Sequence, residues 1–150
     1  MLKGIDPLLT PELLKVLMEM GHDDALILAD ANFTAVRYAE GKPLLRLPGI
    51  SMVRAVRAVT SLLPLVADET HPVGYMQVSG SASGYRSAMQ REVLALLEPQ
   101  FLPGQSAEAI ERYAFYERTR KAFAIVLTGE LQPFGNVLLR KGVICDPLEA

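Results

Sequence analysis

Cysteine is nearly absent from this 150-residue chain: Cys145 is its sole thiol, so no internal disulfide and no multi-cysteine metal site can form. Tryptophan is missing and there are only two histidines, His22 and His71. The nearest approach to a metal set, His22 with Asp23, Asp24 and Asp30, has no second histidine or cysteine beside it, and we expect no metal. An excess of either charge is also lacking. Fifteen Lys and Arg against seventeen Asp and Glu give a formal −2, which leaves no basic surplus to neutralise a nucleic-acid backbone or anionic lipid. No apolar run approaches the ~20 residues that span a bilayer. The start, MLKGIDPLLTPELL, lacks a long apolar stretch followed by a small-residue cleavage site. A reducing, cytoplasmic setting is expected, with neither nucleic acid nor membrane as partner.

What is present is core material. Half of the residues are apolar and 21% are charged, a globular composition. The length fits one domain over residues 1–150. Thr10, Pro11 and Glu12 read as N-cap, first-turn proline and dipole-compatible acid, and Leu13, Leu14, Leu17 and Met18 recur at helical spacing up to Gly21. Ala25 to Ala29 is an unbroken apolar run of strand length that ends at Asp30, the pattern of a strand covered on both faces. Short strands are predicted at Leu44–Leu47, Tyr75–Val78, Ala124–Leu127 and Val137–Leu139. Helices are predicted after Ser51, through Met89–Leu97 and over ERYAFYERTRKAF. The connection between the last two strands is too short for a parallel crossover, so they are antiparallel neighbours or not adjacent. The expected fold is a single three-layer α/β domain, with a mostly parallel but mixed sheet flanked by helices.

Several residues carry chemistry on this reading, each beside a plainer one. His22 is either a cation capping the first helix or a proton carrier oriented by Asp24 or Asp30. Asp23 and Asp24 read as a solvated turn. Asp30 ends a buried strand, where open α/β sheets place their ligands, and must be hydrogen-bonded there or face a cleft. SGSASG precedes a helix but lacks the spacing of a phosphate loop, and reads better as a linker than as an anion cradle. No GxSxG elbow occurs, and Cys145 has no histidine near it in sequence, so nucleophilic catalysis has no support. Arg112, Tyr113, Phe115, Tyr116 and Glu117 offer what a sugar site uses, aromatic faces for C–H surfaces and directional donors for hydroxyls. They also fit an ordinary amphipathic helix. Phe134-Gly135-Asn136 is either part of such a site or a tight turn into the last strand.

Taken together, MLKGIDPLLTPELLKVLMEMGHDD, LADANF, ERYAFYERTRKAFAIVLTGE and FGNVLLRKGVI resemble the L-fucose mutarotase and D-ribose pyranase family, its fucose branch above all. The resemblance implies a cofactor-free isomerase that equilibrates sugar anomers through the open-chain aldehyde. It maps the family's histidine to His22 as proton donor, its strand-end aspartate to Asp30 as sugar ligand and its helix-start arginine to Arg112. The family's Tyr-Gly-Asn falls on Phe134, Gly135 and Asn136, with Tyr116 as a further contact. It also implies a closed homo-oligomer, often a decamer, with sites near subunit boundaries. Three departures stand out. Asp23 replaces a glycine, Thr34 replaces a proline, and Phe134 keeps the ring of a tyrosine but not its hydroxyl. A protein that binds sugar in the same cleft without turnover is the alternative.

Overall fold

The computed structural model describes residues 1–149. Among them, six strands form one sheet: β1 (Ala25–Ala29), β2 (Leu44–Leu47), β3 (Val73–Met76), β4 (Ala107–Ile110), β5 (Ala124–Thr128) and β6 (Val137–Arg140), in the order β2-β5-β1-β6-β3-β4. β1 pairs in parallel with β5, β5 with β2, and β3 with β4, while β6 runs antiparallel between β1 and β3. The sheet is therefore mostly parallel and mixed. The last two strands are not neighbours, because β1 lies between them.

Five helices cover the two faces: α1 (Pro11–Glu19), α2 (Ala35–Ala39), α3 (Met52–Thr60), α4 (Ala88–Leu97) and α5 (Arg112–Lys121). Alternation along β1 explains the layers. Leu26 and Leu28 pack with Leu13, Val56, Leu94 and Leu97 from α1, α3 and α4, while Ile27 and Ala29 pack with Tyr38 and Phe115 from α2 and α5. The helix starts behave as their sequences dictate. Thr10 Oγ1 accepts from Leu13 N at 3.1 Å, Ser51 Oγ from Arg54 N at 3.3 Å, and Ser87 with Gln90 forms a capping box.

Two short elements were not expected, α2 and β4, and β3 begins and ends two residues before the expected Tyr75–Val78. The shift follows from pairing, since Val73 to Met76 are matched to Ala107 to Ile110 on one side and Val73 to Tyr75 to the β6 residues on the other. The SGSASG segment is a loop with Gly80 and Gly84 at positive φ, in line with the linker reading.

All five parallel strands end at one edge of the sheet, and β6 begins there. Gly129, just past β5, is pressed against the backbone of Gly49: a Cβ at position 129 would lie 2.5 Å from Gly49 N and 2.7 Å from its Cα. Neither main chain can swing aside as a side chain would. We expect Gly129→Ala to destabilise the protein by about 1–3 kcal/mol, a fall of several degrees in Tm, measurable by calorimetry. A change under about 1 °C would show that the two segments part freely.

Candidate functional site

At that edge a cleft of about 310 Å³ opens, within the range of small-molecule sites, lined on its polar side by Asp30, Asn32, Arg112 and Asn136. Asp30 follows β1 and Asn136 precedes β6, so antiparallel pairing brings residues 106 apart in sequence into contact. Asn136 Nδ2 donates to Asp30 Oδ2 at 3.0 Å, and Asp30 N donates to Asn136 Oδ1 at 2.9 Å. Asn32 N donates to Asp30 Oδ1 at 3.0 Å. Both side chains are buried, at 6% and 2% exposure. Burial pushes the Asp30 carboxyl above the usual aspartate range, and the amides of Asn32, Gly135 and Phe33 together with the Asn136 side chain pull it back only in part.

The opposite wall is aromatic and cationic. Glu111 Oε2 accepts from the amides of Tyr113 and Ala114 and so starts α5, which places Arg112 and Tyr116 one turn apart. Arg112 Nε donates to Tyr116 Oη at 3.0 Å, and its guanidinium lies 5.7 Å from the Tyr116 ring centre. Tyr116 stacks on Tyr38 with centroids 5.1 Å apart, and Phe33 tilts against both. Thr34, Phe134, Pro133 and Met76 complete the lining. The Phe134-Gly135-Asn136 segment is a tight turn as well as a wall. Gly135 N donates to Gln132 O at 3.1 Å, and a Cβ on Gly135 would meet that carbonyl oxygen at 2.7 Å.

Of the residues singled out from sequence, Asp30, Arg112, Tyr116, Phe134 and Asn136 line one cleft, and Gly135 forms the turn that supports it. His22 does not join them in the same chain. It precedes β1, and five strand residues at roughly 3.3 Å each put it roughly 16 Å from the Asp30 end. His22 does not cap α1 either: Lys141 Nζ donates to the carbonyls of Leu17 and Met20. His22 is exposed, and its Nε2 lies 2.9 Å from Asp68 Oδ1. That hydrogen bond, followed by the charges of Asp68, Asp23 and Glu69, raises the imidazole above the ordinary histidine value. Asp23 is held by Arg140 at 2.6 and 2.9 Å and is not a free turn residue. Sequence reasoning missed Asn32, Phe33 and Met76 as cleft residues. Phe33 was within reach, since an aromatic three residues beyond a strand-end acid falls on the same rim.

Among the described residues no grouping of His, Cys, Asp and Glu fits a metal ion, and no helix is long and apolar enough to cross a membrane.

Comparison with known proteins identifies the family and the fold. Residues 3–144 match the RbsD / FucU transport protein family, and the chain belongs to it. A fucose mutarotase of Danio rerio is 41% identical over 145 residues, 95% of this chain and 94% of that protein. The crystal structure of the fucose mutarotase from Streptococcus pneumoniae in complex with L-fucose superposes with a TM-score of 0.85 at 34% identity, covering 96% of this chain and all of that one. FucU from Bifidobacterium longum gives a TM-score of 0.82 at 29% identity, over 95% of this chain and all of its own.

The Asp30 carboxyl supplies a direct test of the site's electrostatics. Its folded pKa lies above the unfolded value, so its titration favours the fold below the unfolded pKa, and that contribution is lost as pH rises through the folded one. Carboxyl 13C NMR should show Asp30 titrating above the exposed aspartates. Asn136→Ala, which removes a donor to the charged form, should move it higher still. An Asp30 midpoint that falls in the variant would contradict the assigned balance of burial and hydrogen bonding.

Proposed function

We propose that the protein is a sugar mutarotase that interconverts the α and β anomers of L-fucose or a closely similar monosaccharide without a cofactor. The observation that carries this reading is the cleft, in which a buried, raised carboxyl faces an arginine and a set of aromatic rings. It stands in a chain whose relatives include fucose mutarotases. Mutarotation needs removal of the anomeric hydroxyl proton, delivery of a proton to the ring oxygen, rotation about the opened carbonyl carbon and the reverse transfers. No bond to the enzyme forms and nothing is oxidised. Asp30 accepts a hydrogen bond from a sugar hydroxyl, Arg112 and the Tyr116 hydroxyl bind others, and the Phe134 ring lies along a C–H face. Gly135 and Asn136 hold that wall in place.

His22 is the proton donor on this account, and it comes from a second copy of the chain. Its own edge of the sheet carries a largely apolar cavity of about 660 Å³ lined by Leu14, Leu17, Met18, Leu62 and Val143, with His22 among the lining residues. Met18 is 84% exposed and Ile144 89% exposed, which is surface a partner would cover. Laying this edge on the cleft edge of a neighbour is a head-to-tail contact, and such contacts form a ring when the rotation between copies closes. The exposed apolar surface and the family resemblance support a homo-oligomer, and the resemblance alone suggests a decamer as one closed form. A cytoplasmic location fits the composition.

A second reading is favoured by one observation: Phe134 lines the cleft without a hydroxyl, so the protein would bind sugar without turning it over. Exchange NMR between α- and β-anomeric protons of L-fucose separates the two. We expect exchange above the buffer rate, reduced about 10²–10⁴-fold in His22→Ala. The acid form of His22 donates, so the rate should fall as pH rises through its raised pKa, and Asp68→Asn should move that fall to lower pH. Binding of L-fucose without exchange would establish the second reading instead.

A further inference from the structure

The family's cleft residues leave one buried polar side chain behind the wall unexplained. Gln90, on the first turn of α4, is 1% exposed and does not line the cleft. Its Oε1 accepts from Ser87 N at 2.9 Å, which is half of the helix's capping box. Its Nε2 donates to Met76 O at 2.8 Å and to Phe134 O at 3.3 Å, and both of those residues line the cleft. Phe134 holds φ at 60°, a left-handed conformation that a bulky aromatic residue rarely adopts. A surrounding constraint must keep it there.

We infer that Gln90 is a positioning residue for the sugar site: its buried amide ties the Phe134 peptide to the end of β3 and so fixes where the Phe134 ring and Asn136 stand. The inference rests on the mutarotase reading and extends it. The residue type supports it. A capping box is served equally by glutamate or glutamine, so the helix start alone does not require an amide. Two carbonyl oxygens facing the same nitrogen do require one, because only an amide offers an acceptor at one end and two donors at the other. The bonds also form a closed circuit. Met76 N donates to Asn136 O at 3.0 Å, so the end of β3 is joined both to the start of β6 and, through Gln90, to the turn two residues earlier. Asn136 in turn holds Asp30.

Three variants separate positioning from simple stability. Gln90→Glu retains the acceptor for Ser87 but loses the paired donors, and Gln90→Met is uncharged and of similar shape should the glutamate variant fail to fold. Ser87→Ala breaks the cap at its hydroxyl and leaves both donated bonds intact. In the L-fucose anomer-exchange assay we expect either Gln90 variant to raise KM about five- to tenfold with kcat within about twofold, since placement of binding groups is what is lost. Ser87→Ala should lower Tm and leave KM within about twofold of the starting protein. The inference is overturned if the folded Gln90 variant keeps its KM, or if Ser87→Ala raises KM as much. These outcomes are read against the unaltered protein. If that protein itself exchanges no anomers, the functional reading fails, and the Phe134 φ angle in a crystal structure of Gln90→Met then decides the positioning role alone.

Discussion

The cleft depends on one reciprocal contact, the pair of hydrogen bonds between Asp30 and Asn136. It closes the junction between β1 and β6, the antiparallel seam in an otherwise parallel sheet, at the point where both backbones leave the ladder. Unmade, it would leave the Asp30 amide and Asn136 Oδ1 buried without partners, and each unsatisfied buried group costs about 1–3 kcal/mol. Burial at this junction raises the Asp30 pKa, and the hydrogen bond from Asn136 pulls it back in part. The stability of the seam and the chemistry of the site are one arrangement. No buried side-chain nitrogen or oxygen is left without a partner among the described residues, so the network is complete before any ligand arrives.

The same sheet geometry explains why the proposed site is divided between two copies. A strand buried on both faces offers functional groups only at its two ends, and β1 carries a histidine near one and an aspartate at the other. Five strand residues hold them apart, so no side-chain rearrangement unites them within a chain. On the proposed function a second copy would bring them together without distortion, which would make the oligomer part of the catalytic apparatus rather than an addition to it. The acids Asp68, Asp23 and Glu69 around His22 keep the imidazole protonated to higher pH, the state a donor needs.

Local chemistry made much of the fold legible. Thr10-Pro11, Ser51 and the apolar run Ala25–Ala29 each state their structure within a few residues, and the structure has helices and a strand there. The unexpected elements are those whose reason is tertiary. β4 reads AEAI, with no branched run, and exists because β3 pairs with it; α2 is five residues long and is pinned by Tyr38 stacking on Tyr116. Gly74 weakens the β3 signal, and its bare Cα lets the Ile110 side chain pack over the strand, where a Cβ would lie 2.5 Å from Cδ1. In the site, Asp30 was visible as an acid ending a buried strand, whereas its bond to Asn136 spans the sequence and has no local sign. Ser87 and Gln90 carry the spacing of a capping box, but nothing near them discloses the two carbonyls on Gln90's other side.

The central claim, a cleft organised by Asp30 and completed by His22 of a neighbouring copy, is tested most directly by complementation. His22→Ala and Asp30→Ala chains, each expected to exchange far more slowly than the unaltered protein at sub-saturating sugar, are unfolded together, mixed in equal amounts and refolded. If each site takes its aspartate from one chain and its histidine from the next, anomer exchange should return to about a quarter of the unaltered protein's rate, from the heterologous pairings that bring two intact halves together. Mixed oligomers confirmed by native mass spectrometry, with exchange no greater than that of the separate variants, would contradict the account.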